Sequence, residues 1–318
     1  MPAVPDSLFA RFLISVLLIS PSCALCALAV VAAACAGSEA TPTSSANTQA
    51  VRVSFQRVDK LVFLQAQLNG SRPLWFVLDS GSSRMLVDKK VADALGLKTA
   101  GISSVQGAGA GRIQINLIHD VSLKIGELNS AHYEFASIDL SGLTSVVGRP
   151  VDGILGYEFL SRFIVTVDYT RQQLIIRDPE TKDALPGTLI PIEIAKNWPF
   201  IKAQLEVKGV PPITDRFLID SGSNDAVDHP IIKQTTGNVR QATTGNGLGQ
   251  PVSGYVGTAE ALEIGPFKLK NLTLVCCGAT EEVSKLIGSD VLSRFTITFD
   301  YPHLRIFLAA SPASFEKS

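Results

Sequence analysis

Short apolar runs separated by turn residues recur along the chain after residue 50. The clearest of them, residues 75–78, is apolar at every position, which is typical of a strand buried on both faces. It ends at Asp79 in an Asp-Ser-Gly-Ser turn. Just before it, Asn69-Gly70 predicts a hairpin with the apolar residues 61–64. The pattern therefore predicts a chain rich in short strands and tight turns.

A short helix is predicted after the first of these turns. Asp88 can cap its N-terminus, Val91, Ala94 and Leu95 share one face, and Gly96 can end it. Elsewhere the 25 glycines and 17 prolines in 318 residues favour turns over long helices. We therefore expect an all-β class, mainly strands with short helices.

The second half of the chain repeats the first. A second apolar run ends in Asp-Ser-Gly-Ser at Asp220, 141 residues after Asp79. Three segments match in the same order: 76–83 with 217–224, 123–126 with 262–265, and 156–169 with 288–301. Ordered matches of this kind indicate an internal duplication of a mostly β unit.

The duplication and the local composition also predict the domain organisation. Residues 37–50 are small and polar, and they predict a flexible tether with a reach of roughly 20 Å. The remaining predicted parts are an N-terminal lobe at 51–180, a linker at 181–190, a C-terminal lobe at 191–310 and a tail at 311–318.

Residues 1–36 have the features of an export segment. Arg11 precedes a long apolar core that ends in small residues. The residues before Cys35 resemble a bacterial lipobox, in which Cys35 would be lipidated. Cleavage after Ala36 by an ordinary signal peptidase also fits, and so does an uncleaved membrane span, although Pro21 interrupts it. All three alternatives place the folded part outside the cytoplasm, and we expect a membrane tether through the N-terminus.

The charge of the chain argues against nucleic acid as a partner. A net charge of −1 gives no electrostatic footprint for nucleic acid. The four histidines show no paired spacing, so the sequence predicts no metal site.

Three of the five cysteines lie in the export segment. Neighbouring strand residues point to opposite faces, so Cys276 and Cys277 are expected to be reduced thiols.

The two Asp-Ser-Gly-Ser turns carry the candidate chemistry. One such turn alone is an ordinary structural element, because Asp and Ser bond to their own backbone. A carboxylate at the end of a buried strand, however, loses solvation, and here two of them occupy matching positions of duplicated lobes. If Asp79 and Asp220 meet at the interface, they would share a proton, activate a water for attack on a carbonyl and protonate the leaving amine.

Other polar residues receive structural interpretations. Asp168 and Asp300 repeat faithfully, yet both end strands before turns, so we expect structural roles for them. The same holds for Asp152, which has no counterpart in the second half. His229 is expected to be a surface residue.

The chain resembles aspartic proteases of the pepsin and retropepsin superfamily, most closely bacterial retropepsin-like proteins, with both lobes in one chain. The resemblance covers about residues 51–310. It is carried by the apolar-apolar-Asp-Ser-Gly-Ser motif in both lobes and by the apolar-apolar-Gly elements at 154–156 and 286–288. It implies a bilobal pepsin-like acid protease fold, with two β-barrel-like lobes and the active site between them. It also implies a monomer that takes a polypeptide substrate and needs no cofactor.

The resemblance assigns roles by position. Asp79 and Asp220 would be the catalytic pair, and the hydroxyls of Ser80 and Ser221 would cross-link the two turns. The other supporting residues would be Gly81, Ser82, Gly222 and Ser223, with Ser82 and Ser223 hydrogen-bonding near the carboxylates.

The flap that closes over a peptide would include Gly107, Gly109 and Gly111, with a counterpart at 245–249. Pepsins carry a Tyr in the first flap, and none occurs here between Ser83 and Tyr133. A nucleotide-binding loop at 107–111 lacks the strand-to-helix context that it requires.

Two function classes remain open. The first is an aspartic endopeptidase that uses Asp79 and Asp220. The second is a non-catalytic, exported protein that binds a peptide or an envelope partner in the same cleft. The presence of both acids favours the first, because a degenerate binder usually loses one of them.

Overall fold

The computed structural model describes residues 50–106, 112–247, 250–276 and 285–311. Within these ranges, no helix combines the length and the apolar character that a membrane crossing requires. The predicted export segment with Cys35, and nearly all of the predicted tether, lie outside the described residues.

Strands make up most of both halves. In the N-terminal half they are β1 Val51–Ser54, β2 Gln56–Val58, β3 Leu61–Leu68, β4 Leu74–Leu78, β5 Met85–Asp88, β6 Thr99–Gln106, β7 Arg112–Ile125, β8 Leu128–Ile138, β9 Gly153–Leu155, β10 Ile164–Asp168 and β11 Gln173–Arg177. Its helices are α1 Lys89–Ala94, α2 Ser141–Val147 and α3 Tyr157–Leu160.

The C-terminal half repeats this succession. Its strands are β12 Thr188–Pro191, β13 Glu193–Ala195, β14 Trp198–Val207, β15 Val210–Asp220, β16 Val227–Asp228, β17 Arg240–Gly247, β18 Gln250–Ile264, β19 Phe267–Cys276, β20 Leu286–Gly288, β21 Phe295–Asp300 and β22 Arg305–Ala310. It also contains helix α4 Ser289–Leu292 and 3-10 helices at Pro230–Gln234 and Tyr301–His303.

Each lobe is built on one curled sheet, and the two sheets have the same strand order. The N-terminal sheet runs β2-β3-β4-β9-β5-β8-β7-β6, and the C-terminal sheet runs β13-β14-β15-β20-β16-β19-β18-β17. Each sheet has one additional pairing, β3 with β7 in the N-terminal sheet and β14 with β18 in the C-terminal sheet. This pairing closes each sheet partly into a barrel. The predicted class, mainly β with two duplicated barrel-like lobes, is confirmed.

A third sheet joins the lobes. Its order is β1-β11-β10-β21-β22-β12, so each half of the chain supplies three neighbouring strands. At its centre β10 and β21 pair antiparallel, and the hydroxyls of Thr166 and Thr298 lie 2.8 Å apart. The sequence did not predict this shared sheet. Strand β12 also begins within the predicted linker at 181–190, at Thr188.

The paired Asp-Ser-Gly-Ser turns follow parallel strand pairs. Strand β4 pairs with β9, with Leu78 opposite Leu155, and β15 pairs with β20, with Asp220 opposite Gly288. Parallel pairing places the carboxyl ends of neighbouring strands at the same edge of the sheet. The edge that carries each turn therefore also carries an apolar-apolar-Gly element.

The local elements predicted before the first turn are present. Asn69 and Gly70 have φ values of 47° and 73°, the left-handed conformation that a tight hairpin between β3 and β4 requires. Helix α1 is capped by Asp88, whose Oδ1 accepts the Lys90 N–H at 2.9 Å. Gly96, with φ 62°, follows the end of α1 as predicted.

Asp168 and Asp152 each accept a hydrogen bond from a backbone N–H. Asp168 accepts the Arg171 N–H at 2.9 Å, and Asp152 accepts the Trp75 N–H at 2.7 Å. Asp300 bonds to the side chains of His303 and Arg305 at 2.6 and 2.7 Å. These contacts agree with the structural roles expected for all three acids.

Two sequence-based expectations are wrong. His229 is buried, not a surface residue: it is 4% exposed, and its Nε2 lies 3.1 Å from an Asp215 carboxylate oxygen. Its partner is 14 residues away, so the local sequence did not reveal it.

Cys276 is disulfide-bonded rather than reduced. The expectation assumed that the strand continues past Cys276, whereas β19 ends there, and all other cysteines lie outside the described residues.

Candidate active site

Asp79 and Asp220 occupy matching places at the ends of β4 and β15. Both are 1% exposed. The Oδ1 of Asp79 accepts the Gly81 N–H at 2.8 Å, and the Oδ1 of Asp220 accepts the Gly222 N–H at 2.9 Å. Each turn therefore holds its own carboxyl group with the amide two residues further on.

Close packing across the lobes brings the two carboxyl groups into one site. A Cβ added to Gly81 would lie 2.4 Å from Cγ of Asp220, and a Cβ added to Gly222 would lie 2.2 Å from Cγ of Asp79. The glycine of each turn thus lies directly against the carboxyl group of the other lobe. Only a residue without a side chain fits at either position.

The hydroxyls of Ser80 and Ser221 cross-link the two turns. The Ser80 hydroxyl accepts the Ser221 N–H at 2.9 Å and donates to the Ile219 carbonyl at 2.7 Å. The Ser221 hydroxyl accepts the Ser80 N–H at 2.9 Å and donates to the Leu78 carbonyl at 3.0 Å. All four bonds are buried and cross between the lobes. This network, which we call the serine cross-link, matches the arrangement expected for these two residues.

Ser82 and Ser223 act on the carboxyl groups through their backbone amides. Burial raises the pKa values of Asp79 and Asp220, and the hydrogen bonds from these amides oppose that rise. Their side chains bond elsewhere. The Ser82 hydroxyl donates to the Arg84 carbonyl at 2.8 Å, and the Ser223 hydroxyl accepts the Asp225 N–H at 3.3 Å. The expected contribution of these two serines near the carboxylates therefore comes from the main chain.

The residues that follow the two apolar-apolar-Gly elements bind both turns through backbone hydrogen bonds. The Tyr157 N–H, just after the first element, donates to the Ser82 carbonyl at 3.0 Å, and the Ser289 N–H donates to the Ser223 carbonyl at 2.7 Å. A Cβ on Gly156 would lie 2.1 Å from the Arg84 carbonyl oxygen. These contacts fix the turn backbone and hence the direction of each carboxyl group.

Burial raises the pKa values of both acids. Burial contributes most to the raised pKa of Asp79, and the charge of Asp220 adds to it. Burial also raises the pKa of Asp220, against the bond from the Gly222 N–H, and the charge of nearby Asp225 raises it further. Two carboxyl groups in contact avoid double ionisation, so the pair retains a proton where an exposed carboxyl group would lose it.

A small apolar pocket adjoins the acids. It has a volume of about 10 Å³, room for about one water molecule, and it is lined by Leu61, Val77, Asp79, Leu143, Val147, Val151 and Gly222. Helix α2 supplies two of these side chains. The pocket places an apolar surface next to the Asp79 carboxyl group.

The predicted flap glycines Gly107, Gly109 and Gly111 lie outside the described residues. On either side of them β6 and β7 pair antiparallel, with Gln106 opposite Arg112. The counterpart hairpin pairs Gly247 with Gln250. The flap assignment therefore stays a prediction.

Tyr301 is a residue of the site that the sequence-based reasoning missed. It is 3% exposed, and its pKa is raised well above the usual value by burial and, after that, by the charges of Asp79 and Asp220. A signal was present in the sequence, because a Tyr follows the Asp at the end of both closing segments, as Tyr169 and Tyr301.

Among the described residues, no three His, Cys, Asp or Glu side chains cluster closely enough to hold a metal ion. The two buried acids contact each other and their own turns, an arrangement suited to proton transfer.

Part of the chain is similar in sequence to known proteins. An aspartyl protease family model matches residues 64–159, which include the first turn and the first apolar-apolar-Gly element. DNA damage-inducible protein 1 of Neurospora crassa is 24% identical over 212 residues, 65% of this chain and 40% of that protein. The Kluyveromyces lactis protein of the same name is 29% identical over 144 residues, 43% of this chain and 31% of that protein.

Residues 64–159 are thus similar to the aspartyl protease family, and longer parts of the chain are similar to the two DNA damage-inducible proteins. The resemblance predicted from the paired turns is confirmed, and the family match supports a protease-like function. The chain spans less than half of the length of the curated relatives that it matches. The catalytic and supporting roles of individual residues stay predictions, as do the domain boundaries and the bacterial origin.

Proposed function

We propose that this retropepsin-like protein is an aspartic endopeptidase, which hydrolyses a peptide bond of an extended polypeptide between its two lobes. One observation carries the proposal. Two buried carboxyl groups, from matching turns of duplicated lobes, meet in one site whose backbone is locked by the serine cross-link. A purely structural pair of acids would not require this arrangement, because burying two like charges opposes folding.

The chemistry follows from the shared proton. The ionised carboxylate of the pair removes a proton from a water molecule, whose oxygen attacks the carbon of the scissile carbonyl. The neutral carboxyl group gives its proton to the carbonyl oxygen, which yields a tetrahedral diol. The carboxyl group that took the water proton then passes it to the leaving nitrogen. As the C–N bond breaks, the other carboxylate takes a proton from a diol hydroxyl, so the product is a carboxylic acid and the pair again holds one proton.

The surroundings of the acids support a polypeptide as the substrate. The apolar side chains beside Asp79, among them Leu61, Val77 and Leu143, favour an uncharged residue next to the scissile bond. The Gly81 and Gly222 positions leave no side chain between the carboxyl groups and the chain that approaches them. The direct metal-free route needs no group beyond the two acids and a water molecule.

The test compares wild type with Asp79→Asn and Asp220→Asn on a peptide library from about pH 3 to about pH 7. We expect each substitution to lower the cleavage rate by about 10²–10⁴-fold, because it removes the group that transfers the proton. Asp120→Asn, at an acid whose side chain is 75% exposed, serves as the matched control and is expected to cleave at the wild-type rate. Wild type without pepstatin-sensitive cleavage, or an Asn variant with full activity, would contradict the proposal and favour a binding protein on the same fold.

We also propose that residues 1–36 export the protein, with Cys35 as the site of a lipid anchor. The apolar core after Arg11 and the small residues before Cys35 support this proposal. Cells labelled with a radioactive fatty acid are expected to incorporate label into wild type and not into Cys35→Ser. Equal labelling of both would contradict the anchor.

A further inference from the structure

We propose that Tyr301 is a positioning residue of the paired acids: its buried phenol supports the serine cross-link at Ser80 and favours the ionised form of the pair. This inference rests on the proposed protease function for its kinetic consequence. Tyr301 comes from the C-terminal half, where it begins the 3-10 helix after β21. The turn that it supports belongs to the N-terminal half.

Packing places Tyr301 beneath the first turn. Its ring lies 6.2 Å from the Tyr157 ring, centroid to centroid, at 33° between the planes. The Tyr157 N–H in turn holds the Ser82 carbonyl of that turn. On the other side the Phe299 ring packs edge-on at 6.0 Å. The phenol is thus fixed between the shared sheet and the turn that carries Asp79.

The Tyr301 hydroxyl lacks an ordinary hydrogen bond to any described residue, although it is buried. The same is true of the second carboxyl oxygen of Asp79. Buried hydroxyls are nearly always paired, because an unpaired one loses the hydrogen bonds that it makes to water. An unpaired buried donor beside an acid pair that holds an unpaired acceptor requires an explanation other than packing.

The groups that act on the phenol identify its surroundings. Burial raises the pKa of Tyr301 most, and the charges of Asp79, Asp220 and Tyr157 raise it further, while the Ser80 hydroxyl opposes them. The phenol therefore stays neutral and keeps its proton at every pH at which the acids titrate. A neutral O–H has one hydrogen to donate, and a hydrogen bond directed at the turn that carries Asp79 stabilises the ionised pair.

Ser80 connects the Tyr301 hydroxyl to the turn that carries Asp79. Its oxygen already accepts the Ser221 N–H, and its own proton goes to the Ile219 carbonyl. A hydroxyl oxygen has a second lone pair, which is open to the Tyr301 O–H. A small adjustment of either side chain completes that bond and fixes the turn on which Asp79 stands.

Tyr169 provides a matched control inside the same molecule. It occupies the corresponding place in the N-terminal half, is 5% exposed, and also has a buried hydroxyl without an ordinary hydrogen bond to any described residue. Burial raises its pKa to about 12, yet the groups that act on it are Ser289 and Arg57, not the paired acids. The two tyrosines therefore share burial and differ in what their hydroxyls face.

The experiment measures pH profiles of kcat and kcat/KM for the full chain, for Tyr301→Phe and for Tyr169→Phe, on a peptide that wild type cleaves. For Tyr301→Phe we expect kcat to fall about threefold to tenfold with KM nearly unchanged. We also expect the acidic limb of the profile to move up by about half a pH unit, because the donor that favours the ionised pair is gone. Tyr169→Phe is expected to keep the wild-type profile.

Direct titration separates this inference from the proposed activity. In protein labelled with ¹³C at the Asp side chains, the apparent pKa values of the acid pair are read by NMR whether or not the protein cleaves peptides. An upward shift in Tyr301→Phe alone supports the inference, even if wild type proves inactive. Titration curves that coincide for wild type and Tyr301→Phe, or that shift equally in both Phe variants, overturn it.

Discussion

The two lobes have the same strand order, yet their turns have different surroundings. Arg84, which forms an ion pair with Glu134, occupies the position that corresponds to Asp225 in the C-terminal lobe. Asp225 is buried, and its charge raises the pKa of Asp220. Duplication thus preserved the backbone contacts of the turns, while the charges beside the two acids diverged. The paired acids are equivalent in geometry and not in electrostatics.

The residues after the two apolar-apolar-Gly elements show the same contrast. In the C-terminal lobe the Ser289 hydroxyl donates to the Ser221 carbonyl at 2.8 Å. In the N-terminal lobe the corresponding residue is Tyr157, which packs against Tyr301 instead. One turn is therefore supported by a side-chain hydrogen bond, and the other by two stacked rings from different halves of the chain.

The largest expected effect tests the part of the site that the lobes share. Gly81→Ala and Gly222→Ala each place a methyl group within 2.4 Å of a carboxyl group of the other lobe. We expect both to abolish cleavage and to lower the free energy of unfolding by about 1–3 kcal/mol, measured by urea denaturation. Gly101→Ala, which meets no atom within 4 Å, is the control and is expected to resemble wild type. If one lobe tolerates the methyl group, the close approach is not symmetric.

A smaller effect is expected from the serine cross-link. Ser80→Ala and Ser221→Ala each leave one buried N–H and one buried carbonyl without partners, so each should cost about 1–3 kcal/mol of stability. Thr in either position should restore most of it, because the hydroxyl is retained. Ser145→Ala removes an exposed hydroxyl bond and should cost less than about 0.5 kcal/mol. A marked difference between the two Ala variants would show that one lobe depends on the cross-link more than the other.

The smallest effect concerns Glu158 and the matching Asp290. Burial raises the pKa of Glu158 to about 7, against the charge of Arg84 and the bond from the Met85 N–H. Because the folded state binds this proton more tightly than the unfolded state, Glu158 stabilises the fold at low pH and loses that contribution between about pH 4 and about pH 7.

In Glu158→Gln we therefore expect a stability–pH curve that is flatter over this interval by about 1–2 kcal/mol, measured by chemical denaturation at a series of pH values. Asp290→Asn is the matched variant in the other lobe. Asp290 is a quarter exposed and pairs with Lys60 and Arg294, so its replacement measures what the loss of a side-chain charge at the corresponding position does to stability. Equal slopes for Glu158→Gln and wild type would show that Glu158 titrates like an exposed acid.

Much of the site could be predicted because its determinants are local. The Asp-Ser-Gly-Ser turns, the Asp88 cap and the Asn69-Gly70 hairpin each depend on a few neighbouring residues, whose conformational preferences are strong. Their repetition then placed Asp79 and Asp220 in equivalent positions. Equivalence in a duplicated fold, rather than either turn alone, predicted that the two acids would meet.

The features that the sequence did not predict depend on contacts between residues that are far apart in the chain. The shared sheet pairs β10 with β21, whose paired residues are far apart in the chain, and nothing in either apolar run specifies which strand it will meet. His229 is buried because β15 brings Asp215 to it. Tyr301 was seen only as part of a strand end, since its proximity to Ser80 and the acids arises from the crossing of the two halves. Contacts between halves are invisible to local patterns.

The crossing in the shared sheet also sets the order in which the site can be completed. Each turn rests on residues of the opposite half, and the last strands of the sheet, β21 and β22, lie near the end of the described chain. During synthesis or export, the first lobe can form its sheet long before residue 301 emerges. Its acid then lacks both its partner and the ring beneath it. The activity proposed above would thus remain unassembled until residue 301 has been synthesised, an order that the strand pairing of the shared sheet imposes on the site.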